Sequence, residues 1–111
     1  VEFTVEVAER GGRTVVSAAG ELDAYTAPTL GAEVGPASNR PGGALIVDLT
    51  DVSFIDSTGL GVLVTALKHA REAGGSLDLV VAAPRVLKVL AITGLDVVIP
   101  LHSTLDEALG S

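Results

Sequence analysis

Apolar and polar residues alternate at the start of the chain, where Phe3, Val5 and Val7 interleave with Glu2, Thr4 and Glu6. A period of two predicts a half-buried strand over Thr4–Val7. The β-branched run Thr14–Ala18 predicts a second strand, with Gly11-Gly12 as the hairpin turn between them. Ala44–Leu49 has a different pattern, apolar at every position before Asp48, which suits a strand covered on both faces. Leu77–Ala82 and Val97–Ile99 read as further strands. Helical spacing separates these runs. Thr26-Ala27-Pro28 reads as an N-cap followed by proline in the first turn, with Leu30 and Val34 on one face. Gly31, Gly35 and Pro36 predict that this helix is short and weak, and Pro36–Gly43 reads as a loop. Leu60, Leu63, Val64, Leu67 and Ala70 form a helical stripe, with Lys68, His69, Arg71 and Glu72 off it and Gly74-Gly75 at its end. Pro84 opens a third helix with Leu87, Leu90 and Ala91 on a face and Gly94 at the stop. Ser103 or Thr104 caps a short terminal helix through Leu109.

The predicted order is β-β-α-β-α-β-α-β-α, an α/β fold. An N-terminal β-hairpin is followed by βα units with right-handed crossovers, giving a mixed sheet packed with helices. The 111 residues suit one domain over 1–111, and 48% apolar residues suffice for a core. Phe3, Tyr25 and Phe54 are the only aromatic residues, so that core is aliphatic. Seven Lys+Arg against fourteen Asp+Glu give a net charge of −7. That balance argues against nucleic acid and against an anionic membrane surface, both of which need a basic face. With no cysteine there is no disulfide, thiolate nucleophile or Cys-based zinc site, which is consistent with a cytoplasmic protein. The longest uncharged stretch, Ser57–Leu67, is well short of the roughly 20 residues that span a bilayer. No signal peptide is visible. The sequence starts at Val1 without Met, which leaves a leader ahead of it open.

The most informative stretch runs from Asp48 to Leu63, taking a buried strand through a turn into the strongest helix. Asp56, Ser57 and Thr58 fall where that helix begins, beside backbone N–H groups with no intrahelical partner and the positive end of the helix dipole. Gly59 and Gly61 remove bulk next to these hydroxyls, which makes room for another protein's active site. On the residues alone a second reading stands: Ser57 or Thr58 is an ordinary N-cap, and the glycines serve helix–strand packing. Other chemistries have less behind them. Ser57 lacks the Gly-x-Ser-x-Gly elbow of a hydrolase. His69 and His102 read as solvated side chains. Asp48, Asp51 and Asp56 are conceivable as the magnesium pocket of a response-regulator receiver, but the opening hairpin is the wrong order of elements for one. No metal or cofactor is expected.

Asp56-Ser57-Thr58-Gly59-Leu60-Gly61 resembles the phospho-acceptor motif of anti-sigma factor antagonists, the STAS-domain family. Gly20-Glu21-Leu22-Asp23 with Thr26-Ala27 is similar to the family's first signature, and Asp51–Asp56 to the approach to the acceptor. Gly74-Gly75-Ser76-Leu77 resembles the helix-to-strand turn, and Ile92-Thr93-Gly94-Leu95 a late motif. Together these cover most of the chain in order, a more specific signal than the hexapeptide alone.

The resemblance implies a STAS fold and a switchable binding module that is not itself an enzyme. Ser57 matches the serine phosphorylated by an anti-sigma factor that is also a serine kinase. Thr58 stands where many members have a second serine. Glu21, Asp23, Asp56, Thr58 and Gly59 would contribute to partner binding; for Glu21 and Asp23 the residues alone also allow a solvated strand end. Unphosphorylated protein would bind the kinase and release a sigma factor for transcription, as in stress responses. Phosphorylation would end the complex, and a metal-dependent, PP2C-type serine phosphatase would reset it. The alternative is a non-switching STAS interaction module of a larger signalling or transport assembly. The oligomeric state stays open.

Overall fold

A computed structural model describes residues 2–110. Strand β1 (Thr4–Arg10) pairs antiparallel with β2 (Arg13–Leu22), Arg10 facing Arg13 across the Gly11-Gly12 turn. Strands β3 (Ala44–Ile55), β4 (Ser76–Val80) and β5 (Leu101–His102) then add in parallel, so the sheet order is β1-β2-β3-β4-β5. The connections carry α1 (Ala27–Ser38), α2 (Ser57–Glu72) and α3 (Pro84–Thr93), followed by two single turns, α4 (Leu95–Val98) and α5 (Leu105–Ala108). This is the mixed α/β sheet that the strand–helix alternation predicts.

The aliphatic core lies mainly between the sheet and α1–α3. Val16, Leu22, Leu30, Leu49, Leu63 and Leu90 are fully buried there. The opposite face has a smaller cluster of Val15, Ile46, Val80 and Ala108 under α5. Strand β3 serves both layers: Leu45 and Val47 point to the large core while Ile46 points to the small one, which explains its unbroken apolar run. The edge strand β1 is half-buried only at its start, through Phe3 and Val5; Val7 is exposed.

Beyond the apolar run, β3 continues to Ile55. Two register shifts against β2 lie between the pairs Ser17–Asp48 and Ala19–Asp51, and between Gly20–Val52 and Glu21–Phe54. Each gives β3 one extra residue, so Leu49, Val52 and Ile55, spaced three apart, all reach the same core. A period-two search therefore stops short of the strand's end.

Several helical expectations are corrected. Helix α1 runs twelve residues and passes through Pro36. Only its last turn follows the proline, and there the Ser38 hydroxyl and the Asn39 amide donate to the Gly35 carbonyl. Burial of Leu30 and Val34 outweighs the weak local propensity. In α2 the buried positions are Gly59, Leu63, Ala66 and Ala70, and Val64 is exposed. In α3 they are Val86 and Leu90, whereas Leu87 and Ala91 are exposed. The expected strand at Val97–Ile99 is instead helix α4 and its cap. Gly94, at φ 78°, ends α3 in the left-handed conformation and lets the chain turn at once into α4. Of that apolar run only Ile99 is buried, and the strand forms after Pro100.

Candidate functional site

Strands β2 and β3 end side by side, with Leu22 opposite Ile55. The Asp56 N–H donates to the Leu22 carbonyl at 3.1 Å, so the loops after the two strands start from one point. From here α2 begins, and its N-cap is Asp56. One carboxylate oxygen, Oδ1, accepts from Thr58 N at 2.9 Å and Gly59 N at 3.1 Å, and the Asp56 carbonyl accepts from Leu60 N at 3.0 Å. This corrects the reading of Ser57 or Thr58 as the cap. It also corrects the expectation that the helix N–H groups are unpaired, since Asp56 occupies two of them. Ser57 is the first residue of α2 and is exposed, as is Thr58. The acceptor candidate therefore stands in solvent on a backbone fixed by its neighbours.

Gly59 is buried. A Cβ there would lie 2.7 Å from Leu22 Cγ and 3.0 Å from Ile55 Cγ1. Its missing side chain lets α2 seat on β2 and β3, a packing role. Gly61 is exposed, with nothing within 4 Å of a Cβ position.

The β2–α1 loop is built around Asp23. Its Oδ1 accepts from Tyr25 N at 2.9 Å and Thr26 N at 3.0 Å, and lies 3.2 Å from the Thr26 hydroxyl. That hydroxyl donates to the Glu21 carbonyl at 2.7 Å and accepts from Asp23 N at 2.9 Å. Thr26 is thus the N-cap of α1 by position, but its side chain makes no cap bond and organises the loop instead. The Thr26 backbone N–H, followed by that of Tyr25 and the Thr26 hydroxyl, holds the Asp23 carboxyl below its ordinary value against a smaller opposing effect of desolvation. Asp23 is a loop anchor as well as an acidic group at the surface, whereas Glu21 is exposed at the strand end.

Two concavities lie at these elements. A groove of about 460 Å³ between α1 and α2 is lined by residues including Val34, Thr58, Gly61, Val62 and His69. A hollow of about 390 Å³ at the β2–α1 loop is lined by Phe3, Gly20, Glu21, Asp23, Tyr25 and Ser53 among others. Tyr25 is 92% exposed, and no chemical motif in the sequence singles it out. Its signal was its place: the chain's single tyrosine stands between the two halves of an acidic signature.

Elsewhere, His102 is not solvated as expected. Its Nε2 lies 2.7 Å from Asp78 Oδ2, joining β5 to β4. His69 is half-buried, with Nδ1 3.5 Å from Asn39 Nδ2. Among the described residues no three His, Cys, Asp or Glu gather as a metal site. Asp48 accepts from Thr50, and Asp56 is committed to its helix. No helix of the described residues is long and apolar enough to cross a membrane.

The family model of the STAS domain matches residues 4–108. The chain belongs to this family. It is 38% identical over 103 residues to the anti-sigma-B factor antagonist of Bacillus subtilis, covering 93% of this chain and 94% of that one. To the protein of the same description from Listeria monocytogenes it is 36% identical over 112 residues, covering 100% and 98%. Among solved structures, an anti-sigma factor antagonist from Mycobacterium paratuberculosis superposes with a TM-score of 0.87 at 36% identity, over 98% of this chain and 92% of the other.

Proposed function

We propose that this protein is an anti-sigma factor antagonist, a cytoplasmic binding module without catalytic activity, switched by phosphorylation of Ser57. The unphosphorylated form binds an anti-sigma factor that is a serine kinase, and a sigma factor is released. Ser57 Oγ attacks the γ-phosphorus of ATP held by the kinase, the Oγ–P bond forms as the P–O bond to the leaving ADP breaks, the hydroxyl proton passes to solvent, and the complex separates. A PP2C-type phosphatase hydrolyses the phosphoserine and restores binding. Glu21, Asp23, Asp56 and Thr58 form the surroundings that the partner meets. The observation that carries this reading is the exposed Ser57 at the first position of α2, its backbone pinned by Asp56 beside the acidic β2–α1 loop. The similarity to antagonists along the whole chain supports it.

The switch needs only local electrostatics. Phosphate brings about −1.5 to −2 charge at pH 7. Within the domain it stands at an exposed position. Against a kinase site that already holds nucleotide phosphates, a desolvated dianion is strongly disfavoured where the hydroxyl was accommodated. Mass spectrometry of the protein from its host, with and without phosphatase treatment, tests the assignment. The expected result is a phosphatase-sensitive phosphate on the peptide containing Ser57. Occupied sites only elsewhere would remove the switch and leave a non-switching module.

A further inference from the structure

We infer that the ring of Tyr25 is the apolar anchor by which the kinase partner docks beside Ser57, an inference that rests on the function proposed above. The chain has three aromatic residues, and the other two, Phe3 and Phe54, are half-buried. Tyr25 leaves 92% of its surface in water. Its backbone is nonetheless held, because its N–H donates to Asp23 Oδ1 and the next residue is bonded to the same carboxylate. With the backbone already fixed, covering the ring costs only the ordering of its two side-chain torsions, and tyrosine is among the residues that dominate interface energies. Its loop starts where the Leu22 carbonyl accepts from Asp56 N–H, one residue before Ser57. A partner whose active site reaches Ser57 therefore covers this loop as well.

The charge of the surroundings selects the occupant. Glu21 and Asp23 line the hollow together with the ring, and Asp56 is bonded to the strand end from which the loop starts, in a chain of net charge −7. A second copy would set these carboxylates against their own kind. The kinase, as a different chain, can offer an apolar socket at the mouth of its active site. The ring, and not the hydroxyl, makes the contact.

The test begins with the purified serine-kinase anti-sigma factors encoded by the host, each assayed with MgATP for phosphorylation of the wild-type chain at Ser57. The kinase that acts becomes the probe; if none acts, the proposed function and the docking role fall together. Tyr25→Ala should raise both Kd and the KM for phosphorylation by about tenfold or more, with kcat and the thermal midpoint nearly unchanged. Tyr25→Phe should behave as wild type. In the wild-type protein, the kinase bound to a non-hydrolysable ATP analogue should protect Tyr25 from nitration by tetranitromethane, a readout independent of any variant's folding. Wild-type affinity in Tyr25→Ala, equal losses in the Ala and Phe variants, or unprotected nitration would overturn the anchor while leaving phosphorylation of Ser57 intact.

Discussion

The carboxyl ends of β2 and β3 and helix α3 are ordered by different forces. At the first, polar groups fix the backbone: Asp23 and Thr26 tie one loop, and Asp56 ties the other to Leu22 and to its own helix. Helix α3 relies on burial. Its N-cap, Ala83, offers no side-chain cap bond, and the helix is held by Val86 and Leu90, with Ile99 buried after α4. Hydrogen bonds from neighbouring residues can immobilise a position without covering its side chain. Apolar packing immobilises by covering. Ser57 and Tyr25 are both exposed on fixed backbone, the arrangement that the proposed presentation of a hydroxyl to another protein's active site requires.

Leu90→Ala should expose the contrast most sharply. A fully buried leucine lost from a helix with no side-chain cap should cost about 2–5 kcal/mol in urea unfolding. Binding to the kinase at temperatures where the domain stays folded should be unchanged. Two glycines of α2 come next, with opposite signs. Gly59→Ala forces a Cβ against Leu22 and Ile55, and about 1–3 kcal/mol of overpacking should exceed a helix-propensity gain of about 1 kcal/mol. Gly61→Ala meets nothing and should stabilise by up to about 1 kcal/mol. Equal effects at the two sites would mean that α2 does not seat on β2 as described. Asp56→Ala should then cost about 0.5–2 kcal/mol, as loss of a cap does. Ser57→Ala should stay within about 0.5 kcal/mol, which thermal melts of the pair resolve.

The same contrast governs what could be read from the sequence. The hairpin, the two-sided β3 run and α2 are legible because periodicity and turn residues act locally, whereas the Asp56–Gly61 motif stands out only through its resemblance to a family pattern. Val97–Ile99 was misread because three apolar β-branched residues resemble a buried strand, whereas Gly94 redirects the chain and leaves Val97 in water. The end of β3 was hidden by two bulges that replace a period of two with a period of three. At the site, the family resemblance points to Ser57, Asp23 and Asp56, but not to the division of labour among them. Whether a carboxylate or a hydroxyl caps a helix, and whether Thr26 bonds its helix or its loop, depends on backbone angles that composition does not encode.

The smallest effect concerns Asp23. Its folded carboxyl titrates below its ordinary value because the ionised form accepts from Thr26 and Tyr25. Its contribution to stability is therefore complete above the unfolded pKa and is lost as pH falls through the lower, folded value. In an NMR titration the Tyr25 and Thr26 amides should shift together with the Asp23 carboxyl carbon, below the midpoint of an unperturbed aspartate. A midpoint at or above the ordinary value would remove the loop anchor.

The central claim is that phosphate on Ser57 acts at the interface and not on the fold. Asp56 already satisfies the nearest helix N–H groups, so the phosphate stands outside a completed cap. The most direct measurement pairs calorimetric titration of the kinase with thermal unfolding, comparing unmodified and Ser57-phosphorylated protein. The account predicts an affinity loss of at least about 2 kcal/mol beside a stability change within about 1 kcal/mol. Undiminished binding, or a phosphorylated domain that unfolds or rearranges, would contradict it.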